Sequence, residues 1–288
     1  MRSPAALLLA LSACQGGTSA PASQSSGATE TAPAAASSPG EQGASALAPT
    51  HSEPPPRGAR FALLLHGLGD RGSSFARALD GAGIASRFGL ELSSPDGAVD
   101  SRGRRHWNAG SACCDFDALG TDHVAELRRA MAGRPTVVLG FSNGSFMAQR
   151  LACAAPEVVG VVSLAGGDPL DASACAASSP VAIVHVHGSA DRVVPYEGGH
   201  VLGDRRRAAI PPARETMLRW GERNGCETAA GLAPQRRLDL SPALPGAETQ
   251  VYALRGCRAT VELWEIEGGA HLDPASPSVV SAALASLR

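Results

Sequence analysis

The sequence predicts an α/β domain built on a doubly wound, mostly parallel sheet with helices on both faces. Three observations lead there. From about residue 60 to the end, apolar runs of strand length alternate with amphipathic runs of helix length. One apolar run, residues 136–139, passes through Gly140-Phe141-Ser142-Asn143-Gly144 into a helical pattern at residues 145–154. Glycine-bearing polar turns stand where the apolar runs stop, at the strand ends where such sheets gather ligands.

Length and composition bound what precedes this domain. The chain has 288 residues, 44% of them apolar, enough for a substantial core in one large domain or two small ones. A net charge of −2 argues against a nucleic-acid partner. All 25 basic residues are arginine; the runs at residues 102–105 and 205–207 are too short for a nucleic-acid surface and read as solvated loops.

Residues 1–13 carry one arginine and a short apolar run and read as a secretory signal, too short to span a bilayer as a mature helix. Leu11-Ser12-Ala13-Cys14 resembles the bacterial lipobox. The resemblance implies cleavage before Cys14, acylation of that cysteine, and anchoring at a membrane surface of the cell envelope. If Cys14 is not acylated, the protein is secreted. Residues 14–57 are rich in Ala, Ser, Pro, Gly and Thr, cannot bury enough surface to fold, and read as a disordered tether. The catalytic domain is expected over residues 58–288.

Residues 60–65 read as a strand ending in His66-Gly67-Leu68-Gly69. Residues 74–82 look helical, and residues 90–94 strand-like before the Pro95-Asp96-Gly97 turn. A loop over residues 99–119 holds Trp107 and the vicinal pair Cys113-Cys114. Asp122 or Thr121 caps a helix to about residue 132, and Gly133-Arg134-Pro135 leads into the serine strand. Strands follow at residues 158–165 and 181–186, a helix at 212–224, strands at 251–254 and 260–266, and a closing helix at 276–287.

A serine on a strand-to-helix turn is exposed at the top of the sheet, and Gly140 and Gly144 suit the close approach there. Its hydroxyl needs a base with a pKa near the working pH and a carboxylate to orient that base. Ser142, Asp191 and His271 follow one another in the order Ser, Asp, His, each on a turn after a strand. Asp168 also follows a strand and is the rival acid, but the longer loop bearing Asp191 is preferred. His185 lies within a strand and reads as a core histidine, while His123 lies in a helix, His200 in a loop and His51 in the tether. The backbone amides of Leu68 and Asn143 are the expected oxyanion donors. His66, Trp107 and His187 are candidates to line the substrate pocket, with His66 structural rather than a proton carrier. No His or Cys spacing matches a metal site, and the chemistry requires no cofactor.

Together these pieces resemble the secreted polyhydroxybutyrate depolymerase and feruloyl/acetylxylan-type esterases of the α/β-hydrolase fold. The matching stretches are Leu65-His66-Gly67, Trp107-Asn108-Ala109-Gly110 with the cysteine pair Cys113-Cys114, Gly140 to Gly144, Arg150-Leu151-Ala152-Cys153, His187-Gly188 with Asp191 and Val194-Pro195-Tyr196, Trp220 with Asn224-Gly225-Cys226, and Gly268-Gly269-Ala270-His271. The resemblance implies a serine carboxylesterase acting on a small or oligomeric ester, such as a hydroxyalkanoate oligomer or a feruloyl or acetyl ester. Two departures stand out. Family members often place Trp-Pro after the histidine, where this chain has Leu272-Asp273. The stretch around Leu68-Gly69-Asp70 looks closer to the acyl-protein thioesterase and carboxylesterase branch, which leaves thioester hydrolysis open. A non-catalytic binding lipoprotein of the same fold is the reading from a different class.

Setting Cys14 aside, six cysteines in an exported chain suggest disulfides. Cys226 with Cys257 flanks one helix-to-strand excursion. Cys153 with Cys175 and Cys113 with Cys114 complete one set, and a bridge from the Cys113 loop to Cys153 is its main competitor.

Overall fold

The computed structural model describes residues 56–113, 121–168, 175 and 179–287, all within one compact unit. The signal segment, Cys14, nearly all of the tether and Cys114 lie outside the described residues. Among the described residues ten strands and six α-helices follow in chain order: β1 (Phe61–Leu65), α1 (Gly72–Ala78), α2 (Gly81–Phe88), β2 (Glu91–Ser93), β3 (Ala98–Val99), β4 (Arg105–His106), α3 (His123–Met131), β5 (Thr136–Phe141), α4 (Asn143–Ala154), β6 (Val158–Leu164), β7 (Ala182–Gly188), α5 (Ala213–Arg223), β8 (Ala233–Leu238), β9 (Thr249–Ala253), β10 (Val261–Ile266) and α6 (Pro277–Ser286).

Eight strands form one sheet in the order β2-β1-β5-β6-β7-β10-β9-β8. The first six pair in parallel, and β9 and β8 add antiparallel at one edge. β1 alternates between two cores. Phe61, Leu63 and Leu65 pack with residues of α3, α4 and α5, while Ala62 and Leu64 pack with residues of α1, α2 and α6. Helices therefore cover both faces, and the central strands, buried on both sides, read as continuous apolar runs. The outer strand β8 is largely exposed and carries Pro234, Arg236 and Arg237, which discourage pairing with another chain.

Three elements have no counterpart in the sequence reading: α2, the β3–β4 hairpin and β8. β8 lies on an edge and needs no apolar run. α2 follows α1 after a break at Asp80 (φ 51°), which interrupts the helix expected over residues 74–82. β7 also runs further than expected, to Gly188, which places His187 inside a strand.

Cys226–Cys257 and Cys153–Cys175 are disulfide-bonded as the first two expected pairs. The proposed bridge to Cys153 from the Cys113 loop is excluded by that second pair. Cys113 is itself disulfide-bonded.

Candidate active site

β5 delivers Ser142 to the top of the sheet, and α4 begins one residue later. The serine backbone stands at φ 52°, ψ −117°, a conformation that ordinary residues avoid. Both flanking glycines are needed for the turn. A Cβ on Gly140 would lie 2.2 Å from the Gly144 carbonyl oxygen, and one on Gly144 would lie 2.0 Å from the Leu65 carbonyl oxygen. The helix start is thus pressed against the end of β1, which brings the Gly67 turn beside Ser142.

Asp191 lies beyond β7 and His271 beyond β10. Their two loops are stitched together. Ser189 N–H donates to Ile266 O, Ala190 N–H to Gly269 O at 2.9 Å, and Gly268 N–H to Ser189 Oγ at 2.8 Å. Three distant parts of the chain meet as a result. His271 Nε2 is 3.0 Å from Ser142 Oγ, and His271 Nδ1 is 2.7 Å from Asp191 Oδ2. The His271 ring packs against Phe141 with centroids 5.0 Å apart. Burial pushes the Asp191 carboxyl pKa upward, but hydrogen bonds from His187, His271 and the backbone outweigh it and hold the group below the usual carboxylate range. Asp168, the rival acid, sits 3.3 Å from Arg219 instead.

A serine–histidine–aspartate chain on a strand-to-helix elbow, over a mostly parallel sheet, decides the fold. The fold is that of an α/β-hydrolase. Gly67 of the β1 turn packs against Ser142, and the expected oxyanion donors, the Leu68 and Asn143 amides, are the residues that follow these two in the chain. Among the described residues neither N–H donates to a loop or cap carbonyl. No group of His, Cys, Asp and Glu among the described residues is arranged to hold a metal ion.

The three residues expected to line the pocket are placed differently. Trp107, His66 and His187 are each 1% exposed or less. Trp107 donates its indole N–H to His66 O at 3.0 Å. His66 Nε2 accepts from Gly97 N–H at 3.0 Å, and burial lowers its pKa, so the ring works as a neutral strut. His187 contacts Asp191 from behind. All three support the site from beneath because their polar atoms are spent on neighbours that burial would otherwise leave unpaired.

Asn143 has a role that its sequence position did not signal. Its side-chain oxygen accepts from Trp107 N–H at 2.7 Å, and its amide donates to Trp107 O at 2.9 Å. This two-pronged pair clamps the Trp107 loop onto the start of α4. His123, also buried, accepts from Asn108 N–H at 2.8 Å in the same loop. Leu272, directly after His271, stands 71% exposed. The two arginine runs face one another across a cavity of about 540 Å³, where Asp100 pairs with Arg104 and Asp204 with Arg206 and Arg207. They remain ion-paired surface loops.

No family model matches the chain. Curated relatives do. NocK of Nocardia uniformis subsp. tsuyamanensis, named as an esterase, is 29% identical over 79% of this chain and 70% of its own length. Feruloyl esterase B of Piromyces equi is 25% identical over 67% of this chain, which spans 35% of that longer enzyme. A protein of Aspergillus flavus named as a feruloyl esterase C is 27% identical over 72% of this chain and 69% of its own length. Among solved structures, TT1662 of Thermus thermophilus aligns with 80% of this chain at a TM-score of 0.41 and 19% identity. The named relatives are esterases, and the chain is a carboxylic ester hydrolase.

Proposed function

We propose that the protein is an exported serine carboxylesterase working through Ser142, His271 and Asp191. The observation that carries the reading is the continuous contact from Ser142 Oγ to His271 Nε2 (3.0 Å) and from His271 Nδ1 to Asp191 Oδ2 (2.7 Å). In the first half-reaction His271 takes the Ser142 proton as Oγ attacks the ester carbonyl. Asp191 holds the imidazole in the required tautomer and stabilises its charged form. The Leu68 and Asn143 amides receive the developing oxyanion, each contributing on the order of 3 kcal/mol to the lowered barrier. His271 protonates the leaving alcohol, and water then repeats the sequence on the acyl-enzyme.

Feruloyl or short-chain acyl esters are the proposed substrates, supported by the names of the relatives and by the resemblance of the motifs. Hydroxyalkanoate oligomers and acyl thioesters present the same carbonyl to Ser142. The lipobox-like stretch supports anchoring through Cys14 at the cell envelope. Treatment of the pure protein with a fluorophosphonate is expected to give one covalent adduct, on Ser142, and its absence overturns the reading. A panel of p-nitrophenyl esters, feruloyl esters, 3-hydroxybutyrate oligomers and acyl thioesters ranks the substrates. Export and acylation are tested by mass spectrometry of the cell-envelope fraction: a chain beginning at an acylated Cys14 is expected, and an unprocessed Met1 terminus overturns both.

A further inference from the structure

Resting on the catalytic reading above, we propose that His187 is a positioning residue of the reaction: a line of buried hydrogen bonds from Trp220 through Gln149, Ser163, His185 and His187 ends on Val194 O, holds the His187 Nε2 edge against the Asp191 carboxylate, and so fixes the carboxylate's orientation toward His271. The line is continuous. Trp220 Nε1 donates to Gln149 Oε1 at 2.8 Å, and Gln149 Nε2 donates to Ser163 Oγ at 2.9 Å. Ser163 Oγ is 2.8 Å from His185 Nδ1, and His185 Nε2 is 3.1 Å from His187 Nδ1. His187 Nε2 then stands 2.8 Å from Val194 O and 3.2 Å from Asp191 Oδ2.

The sheet builds this line. Ser163 on β6 and His185 on β7 are register partners, and His187 follows two residues along the same face. α4 packs above and supplies Ser145 and Gln149, one helical turn apart. In a strand otherwise made of apolar residues, two fully buried histidines cost free energy unless their nitrogens are paired, and all four are.

The partners also set the direction. Val194 O and the Asp191 carboxylate only accept, so His187 Nε2 carries a proton. With His187 neutral, its Nδ1 accepts, so His185 Nε2 must donate. His185 Nδ1 then accepts from the Ser163 hydroxyl, whose oxygen accepts from Gln149 and from Ser145 Oγ at 2.6 Å. Every donor in the line then points toward His187, whose own N–H goes to Val194 O beside the acid. Asp191 Oδ1 takes Val193 N–H at 2.7 Å and Val194 N–H at 2.9 Å, while Oδ2 takes His271. Three donors bind the carboxylate, and the His187 N–H, given to Val194 O, lies beside its Oδ2 as a fourth neighbour. The two backbone donors and the His187 edge determine which way the lone pair that meets His271 faces. His187, 1% exposed, acts on the reaction only through Asp191.

Around His187 stand the groups that set its electrostatics: His185 on β7, Asp191 beyond it, the Tyr196 ring at 5.6 Å, and Glu265 as its register partner on β10. Glu265 is bound by Tyr196 Oη at 2.8 Å and Arg214 at 3.0 Å.

The test compares His187→Leu, which removes the donor, with His187→Gln, whose side-chain N–H₂ can reach Asp191. Each is checked for folding by circular dichroism. In His187→Leu the turnover number for a p-nitrophenyl ester is expected to fall about 10- to 100-fold, with KM within twofold of the parent. A carboxylate relieved of the neighbouring His187 N–H binds the His271 proton more strongly. The acid limb of the rate profile, and the His271 imidazole titration followed by nuclear magnetic resonance, should therefore move to higher pH. His187→Gln should restore both. Parent-like turnover and titration in folded His187→Leu overturn the proposal, and so does lost turnover with an unmoved titration that Gln does not rescue. If the leucine variant does not fold, His187→Asn, which keeps the amide but falls short of Asp191, replaces it with the same expectations. Should the parent hydrolyse no ester at all, the esterase reading fails, while the His271 titration still decides the role of His187.

Discussion

Ser142 and Asn143 divide the labour of the elbow between backbone and side chain. Ser142 holds a backbone conformation that only a tightly packed turn sustains, and this lifts its hydroxyl clear toward His271. Ser142→Ala should keep the fold and lower kcat/KM by several powers of ten, measured on a p-nitrophenyl ester. Asn143 is proposed to give its N–H to the oxyanion, yet its fully buried side chain also clamps Trp107. Asn143→Ala keeps the amide and removes the clamp, leaving buried Trp107 N–H and C=O without that partner. The expected loss is about 1–3 kcal/mol for each orphaned group, read as a lower urea midpoint. Asn143→Asp keeps the acceptor for Trp107 N–H but sets a carboxylate oxygen against Trp107 O, so it should rescue stability only in part.

At the scale of elements, the site depends on how closely the elbow packs against β1 and how the later loops are held. A Cβ on Gly144 would enter the space of the Leu65 and His66 carbonyl oxygens. Backbone cannot swing away as a side chain can, so Gly144→Ala should cost about 1–3 kcal/mol and pull the elbow out of line. A lower melting temperature together with weakened fluorophosphonate labelling would show it. The Cys226–Cys257 bridge spans 31 residues from the end of α5 to the start of β10. Replacing both cysteines with alanine should cost about 3–4 kcal/mol by loop entropy, measured by urea unfolding under oxidising conditions. Much of this scale was legible in the sequence. Apolar runs and glycine turns marked β1, β5, β6 and β7 because those strands are buried on both faces and are mostly apolar. β8 was invisible for the opposite reason: its residues face solvent and carry arginines. Ser142, Asp191 and His271 were legible because each stands at a strand end, a position that local pattern reveals. The clamp from Asn143 and the contact of His187 with Asp191 were not, since both depend on which distant backbone arrives beside them. His185 and His187, two apart in an apolar strand, were the one available sign that a buried polar line lay there.

For the molecule as a whole, the buried histidines tie stability to pH. His66, His123 and His185 are each 2% exposed or less. Desolvation lowers the pKa of all three, to about 4 for His123 and well below the ordinary value for His185. The unfolded chain regains the ordinary histidine value of about 6.5. Between that value and the folded pKa, the unfolded state binds more protons than the native state. Stability must therefore fall as pH drops through this window. Asp191 has its carboxyl pKa depressed by its hydrogen bonds, so its contribution is intact above the ordinary carboxylate range and is lost only in stronger acid. The two effects act in successive windows, histidines first. The urea midpoint should be flat from pH 8 to pH 7 and decline steadily from about pH 6.5 toward pH 4, with a further fall below that as carboxylates protonate. His123→Gln offers a check on the assignment. Removing a histidine that must stay neutral should flatten part of the decline above pH 4, even where the substitution lowers stability at neutral pH. A midpoint with the same slope in parent and variant would mean that His123 is protonated without cost in the native state.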